Sequence, residues 1–349
     1  IGLDDVEPRL AAQARRQVAI ELDHRQALAA LDQRQRQRAE PGADFDQRLA
    51  GFRVDRRDDV VDDTAVGEEV LRLESRVGYA HKGIEKLAVG RSPQGLARLA
   101  GRVSGDSTVA HTWAACQAME RATDCRVPPR ALALRAVFCE RERIANHIGD
   151  IGAVCNDVSF SFAHMQCSRL RERWQRRNAE VFGHRLLMDS IIPGGVATDI
   201  DQELIAVLRE DHQQLRQETA TVFDIIEDHP SLDDRLIGTG ILRTEDAAEL
   251  GCTGFVGKAS GQSFDVRVHA PYPPYDGLSL QVPLFQQGDV AARVRVRMRE
   301  IGESLGALDQ LLDQMPLGSI HASLPVPGKS AEGLGLVDGW RGEIVRFVR

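Results

Sequence analysis

The sequence predicts a mainly α protein with small β elements: a bundle of long helices with short sheet pieces at its ends. Three observations predict it. Long stretches beyond residue 107 carry apolar residues at helical spacing. Pro128-Pro129 and Pro193-Gly194-Gly195 punctuate those stretches. Strand-like alternation is confined to short segments.

Residues 1–63 stand apart, dense in Arg, Gln and Asp and poor in aromatic residues. Their composition reads either as a solvated or disordered arm or as sequence foreign to the fold. The folded domain is expected over 64–349. It opens with a strand in "EEVLRLESRVGYAH", through Val70, Leu71 and Leu73 to a turn at Gly78. Two short helices follow, "KGIEKLAVG" and "SPQGLARLAGR". A helix is expected over 107–124, with Val109, Trp113, Cys116 and Met119 on one side. Another starts at Pro129 and runs to about 154, a third covers about 164–188, and a fourth about 201–229. Residues 236–298 are glycine-rich and irregular, with strands expected near 264–268 and 279–284. "GDVAARVRVRMREIGESLGALDQLLDQMP" returns to helix, and "GWRGEIVRFVR" reads as a terminal strand with an exposed edge.

Composition narrows the function classes. With 42% hydrophobic and 28% charged residues, the 349-residue chain can bury a substantial core. A net charge of −8 argues against nucleic-acid binding, where basic surface supplies most of the affinity. No run is long and apolar enough for a spanning helix, and no signal peptide opens the chain. The six cysteines lack metal-ligand spacing and read as reduced, mostly buried thiols of a cytosolic protein.

Two local patterns could carry chemistry. In "RVSGDSTVAH", Ser104 and Ser107 have the spacing of a Cys-x-x-Cys grip without its sulfur. They could cap the following helix, line a pocket, or do both. On the helix from 129, Glu140, Arg143, His147 and Asp150 share one face with Asn146 beside them, opposite Leu134, Val137, Ala145 and Ile148. That stripe is either a solvated face or a buried polar network of tunable groups. Arg141 falls among the apolar residues, so it must reach water or find a partner.

Taken in order, "GYAHKGIEK", "RVSGDSTVAH", "FCERERIANHIGDIGAVCNDV", "IIPGGV", "FVGKASGQSFDVR" and "GDVAARVRVRMREIGESL" resemble one family. It is the family of [NiFe]-hydrogenase large subunits and the 49-kDa component of respiratory complex I, the NADH-quinone oxidoreductase. The energy-converting hydrogenase-like branch is the most similar, and the likeness covers about 66–349.

The resemblance implies a long-helix bundle of the hydrogenase large-subunit type. Ser104 and Ser107 stand where catalytic members carry nickel-binding thiolates, while Arg102, Gly105, His111 and Glu120 keep their places. A serine hydroxyl is a hard, poor ligand for nickel, so no metal is expected. The vacated pocket is then expected to take a quinone at the interface with a small iron–sulfur subunit. Arg102 would lie near that partner's cluster. His81, Glu85, Ser104, Ser107 and His111 would line the cofactor side, and Asp157, His147, Glu140 and Arg143 would serve proton coupling. Further partners implied are a 30-kDa-like subunit and membrane-arm subunits, at the cytoplasmic face of the inner membrane. NAD(H) is expected elsewhere in the complex, because no Gly-x-Gly-x-x-Gly opens a βαβ unit here.

The sequence also departs from the family. Gly105 falls where complex I uses a tyrosine, and Leu187 where it has a histidine beside the cluster. The N-terminal hairpin has no counterpart in 1–63, and the chain stops before the second cysteine pair, which reads as a fragment. The expected activity is that of an NADH:quinone oxidoreductase-like subunit, working only within a complex. A non-catalytic scaffold is the alternative, and a true hydrogenase is disfavoured by the serines.

Overall fold

In the computed structural model the described residues are 82–328 and 330–349. The N-terminal arm, the expected strand at 68–81 and His81 lie outside them. Residues Ile84–Arg349 form one unit. The described helices are α1 (Ile84–Ala88), α2 (Pro93–Ala100), α3 (Thr108–Ala122), α4 (Pro129–Asp157), α5 (Ser161–Phe182), α6 (Gln202–Glu227), α7 (Pro230–Leu236), α8 (Thr244–Glu249), α9 (Gly254–Ala259), α10 (Val266–His269) and α11 (Val290–Asp313). Two small antiparallel hairpins complete the described fold, β1 (Ile191–Ile192) with β2 (Gly195–Val196), and β3 (Gly333–Gly339) with β4 (Gly342–Val348). The chain is therefore mainly α with small β elements.

Helix α4 is the centre of the bundle. Pro129 occupies its first turn, where the missing N–H costs nothing and the fixed φ suits a helix. It packs along α5, α11 and α3, so its middle residues Ala133–Ile148 are buried on every side. Of the two readings open for the polar stripe, a solvated face and a buried network, the burial of Glu140, Arg143, Asn146 and His147 matches the second. Phe138 meets Phe182 edge to face at 5.0 Å, and Trp113 of α3 packs against Tyr272 and Tyr275.

Glycine is required at the predicted Pro193 turn. Gly194 has φ +86°, and a Cβ there would lie 2.0 Å from the carbonyl oxygen of Ala322. The turn joins β1 to β2, with Ile191 opposite Val196 and Ile192 opposite Gly195.

The strands expected at 264–268 and 279–284 are not formed. Phe264, Val266 and Val268 alternate as in a strand, yet the Asp265 carboxylate accepts the Arg267 backbone N–H at 3.0 Å and starts α10 instead. Over 279–284, side chains of α11 take the place of a partner strand. Gln310 Oε1 accepts the Ser279 N–H at 2.9 Å, and Glu303 Oε2 accepts the Gln281 N–H at 2.9 Å. The terminal strand does form, as β4, and pairs in register from Gly339↔Gly342 to Gly333↔Val348. Its partner β3 lies on α3 and was not foreseen in the sequence. No helix among the described residues is long and apolar enough to cross a membrane.

Candidate functional site

The serine loop comes first in the chain. A single 3₁₀ turn, Gly105–Ser107, leads into α3. Ser104 Oγ donates to Asp106 Oδ1, and Ser107 Oγ donates to the same oxygen at 3.0 Å. Neither serine caps a helix with its side chain. Arg341 donates to Asp106 Oδ2 at 2.7 Å. The Trp340 indole N–H bridges Ser107 Oγ and the Asp106 carbonyl, both at 3.0 Å. Asn146 on α4 also donates to that carbonyl, at 2.6 Å. Burial raises the Asp106 carboxyl, but the two hydroxyls and the Arg341 charge outweigh it and hold the group below its usual range.

The cap of α3 comes from α4 instead. Glu142 Oε2 accepts the Val109 N–H at 2.6 Å and Oε1 accepts that of Ala110 at 3.1 Å. Glu142 is buried, and burial pushes its carboxyl up to about 8 despite those two donors. A group whose folded value is raised stabilises the fold fully below its unfolded value near 4.5, and that stabilisation is lost as pH rises toward 8. Urea unfolding should therefore show stability falling between these values, and Glu142→Gln should flatten the slope. An unchanged slope in the variant would contradict the assignment.

Between loop and helix lies a cleft of about 20 Å³, room for one water-sized molecule, lined by Gly105, Asp106, Glu142, Asn146, Arg185 and Leu187. Arg102 is exposed and pairs with Asp189 at 2.8 Å. His111 accepts from Arg346 at 2.8 Å, and burial together with that guanidinium lowers it to about 4. Arg346 in turn feels the charge of exposed Glu85 on α1.

A second assembly lies deeper. Glu140 accepts from Arg267 at 3.1 and 2.9 Å, Tyr275 at 2.6 Å and Ser304 at 2.6 Å, and pairs with Arg143 at 3.3 Å. Arg143 reaches Asp338 at 3.1 Å and the Gly339 carbonyl at 3.0 Å. His147 Nε2 lies 2.6 Å from Glu300, which also receives Lys258. Asp265 closes the cluster between Lys258 at 2.7 Å and Arg267 at 2.8 Å. Burial raises the Glu140 carboxyl, but Arg267 and Arg143 reverse that and keep it below the usual range. Burial holds His147 below its ordinary value.

Trp340 joins the two assemblies. Its ring meets His147 edge-on with centroids 6.0 Å apart, while its N–H holds the serine loop. The structure thus brings Ser104, Ser107, Glu140, Arg143 and His147 into one connected set. Asp157 is not part of it: it is the exposed last residue of α4, ten positions or about 15 Å along the helix from His147. Asp150 binds Arg297 at 3.2 Å. Arg141 resolves its conflict by partnership, with Asp211 at 3.1 Å and its guanidinium 3.6 Å over Trp174.

Several residues of the site escaped the sequence reading. Lys258, Asp265 and Arg267 lie in the glycine-rich "FVGKASGQSFDVR", and Glu300 on α11. A lysine and an Asp-x-Arg amid small residues were a usable signal. Asp338 was another, as the one acid in "GLGLVDGW". For Asp106, Glu142, Trp340 and Arg341 no signal separated them from ordinary surface residues.

The donor set does not suit nickel. Two hydroxyl oxygens turned onto one carboxylate offer no soft ligand, and no group of three or more His, Cys, Asp or Glu among the described residues could hold a metal ion.

Comparison with known proteins agrees with this architecture. Residues 157–330 match the family described as respiratory-chain NADH dehydrogenase, 49 Kd subunit, and residues 82–149 match nickel-dependent hydrogenase. The chain is 32% identical to the carbon monoxide-induced hydrogenase of Rhodospirillum rubrum, covering 81% of this chain and 79% of that protein. It is also 32% identical to NADH dehydrogenase (ubiquinone) iron-sulfur protein 2 of Arabidopsis thaliana, over 73% of this chain and 65% of the relative. Among solved structures, the membrane-bound sulfane sulfur reductase, an archaeal respiratory membrane complex, contains a chain that superposes with a TM-score of 0.75. That match is 26% identical and covers 81% of this chain and 78% of the other. With α4 at the centre of the bundle and these relatives, the chain belongs to the family of hydrogenase large subunits and complex I 49-kDa subunits, a family of oxidoreductase subunits.

Proposed function

We propose that this chain is a peripheral subunit of a membrane-bound redox complex, in which the serine loop faces an iron–sulfur partner and forms with it a quinone-type site. One observation carries the reading. The serine loop gathers two hydroxyls, an indole N–H and an arginine on Asp106, a sulfur-free polar pocket linked through Trp340 to a buried ionic cluster; the resemblance implies that Ser104 and Ser107 replace thiolates there. An oxygen-bearing acceptor would take these donors over from Asp106, and the set offers nickel no thiolate. The relatives, one named for a ubiquinone-linked NADH dehydrogenase and one for a respiratory membrane complex, support this assignment.

The cleft within this chain is too small for a quinone ring, so the partner supplies the opposite wall. Arg102, exposed and beside the loop, would place positive charge near the partner's cluster and raise its potential. Asp157, exposed at the end of α4, would exchange protons with water. NAD(H), the 30-kDa-like subunit and the membrane arm belong to the rest of the complex.

The test is quinone reduction by the reconstituted complex. Arg102→Met should lower the midpoint potential of the partner cluster, and Asp157→Asn should slow turnover roughly tenfold or more while the complex still assembles. Unchanged potential together with unchanged turnover favours the scaffold reading. Near-stoichiometric nickel in the purified protein overturns both.

A further inference from the structure

In the deep cluster four carboxylates, Glu140, Asp265, Glu300 and Asp338, face three permanent cations, Arg143, Lys258 and Arg267. All seven side chains are 3% exposed or less. Nearby Arg297 is taken up by Asp150 at 3.2 Å, so fully ionised acids would leave these seven groups with one net negative charge, which is costly in the interior. We propose that the cluster is a proton-binding site, holding one exchangeable proton on Asp338 that balances its fourth carboxylate.

The hydrogen bonds select Asp338. Glu140 receives Arg267, Tyr275 and Ser304. Asp265 receives Lys258 and Arg267, and Glu300 receives Lys258 and His147. Asp338 has one arginine contact on Oδ1 and one backbone N–H, from Val266, on Oδ2. Around it stand Arg143 and Cys139 from α4, Lys258 from α9, Asp265 and Arg267 from the α10 turn, and Tyr272, with Glu300 of α11 beyond Lys258. Burial and the Asp265 charge push the Asp338 carboxyl up to about 6, while its three companions are held below the usual range. Burial holds His147 below its ordinary value, with Nε2 against Glu300.

The site stands on the cluster alone. Its use, taking up a proton when the adjoining pocket gains negative charge, rests on the proposed function.

The experiment is a carbon NMR titration of the full-length chain labelled at the aspartate side-chain carboxyl. One aspartate signal should titrate near pH 6, well above the usual aspartate range. Asp338→Asn should remove that signal. Glu300→Gln, which leaves three carboxylates for three cations, should move it below about pH 5. If no aspartate of the wild type titrates above about pH 5, or if the signal survives in Asp338→Asn, the proposal is overturned. An unmoved midpoint in folded Glu300→Gln would equally reject the charge-balance argument. None of these readouts involves quinone, so a failed turnover assay leaves the proton site standing.

Discussion

Arg267→Ala is expected to destabilise the fold by about 3–5 kcal/mol, as when one partner of a buried ion pair is removed. The guanidinium is 3% exposed and donates to both Glu140 and Asp265. Truncation leaves two interior carboxylates short of counter-charge at once. The consequence reaches α4, α9 and α11, since Asp265 also holds Lys258 and Glu140 also holds Ser304. Urea or thermal unfolding would measure the loss. Arg209→Ala supplies the contrast, because its pair with Asp313 is 51% and 63% exposed and should change stability by within about 0.5 kcal/mol. Equal effects in the two variants would mean that the buried cluster contributes no more than surface pairs.

Gly335→Ala is the second large effect. Strand β3 lies so close to α3 that a Cβ at Gly335 would sit 1.8 Å from the Ala114 carbonyl oxygen and 2.8 Å from its carbon. Both opposing atoms are backbone and cannot swing aside. The cost should match or exceed the upper end of the roughly 1–3 kcal/mol typical of overpacking. Displacing β3 would also shift Asp338 and Trp340, which follow on the same hairpin and serve the cluster and the serine loop. Gly302 on α11 is the opposite case: it is exposed and a Cβ there meets nothing within 4 Å. Gly302→Ala should therefore stabilise by about 0.5–1 kcal/mol, the ordinary gain of alanine over glycine in a helix. A Gly335→Ala protein as stable as the wild type would show that β3 is not held against α3.

The helices were legible because their signal is local. Apolar spacing, Pro129 and the Pro193 turn placed α3, α4, α6 and α11 to within a few residues. The failures were equally physical. Phe264, Val266 and Val268 alternate like a strand, but Asp265 makes its bonds within its own turn and to Lys258. The serines looked like caps, yet the capping carboxylate is Glu142, 33 positions away from the N–H of Val109.

Sequence alone determined the family, the helical architecture and the common face of Glu140, Arg143 and His147. These follow from residue types and short-range spacing. Only the tertiary structure decided that the face is interior. Its partners Arg267, Glu300 and Asp338 arrive 127, 153 and 195 positions later from separate elements. A charge on a helix reads alike whether water or a distant counter-charge will face it. The choice is made by packing, which removes water from the middle of α4 on every side and leaves paired ions or a bound proton as the alternatives to an unbalanced interior charge.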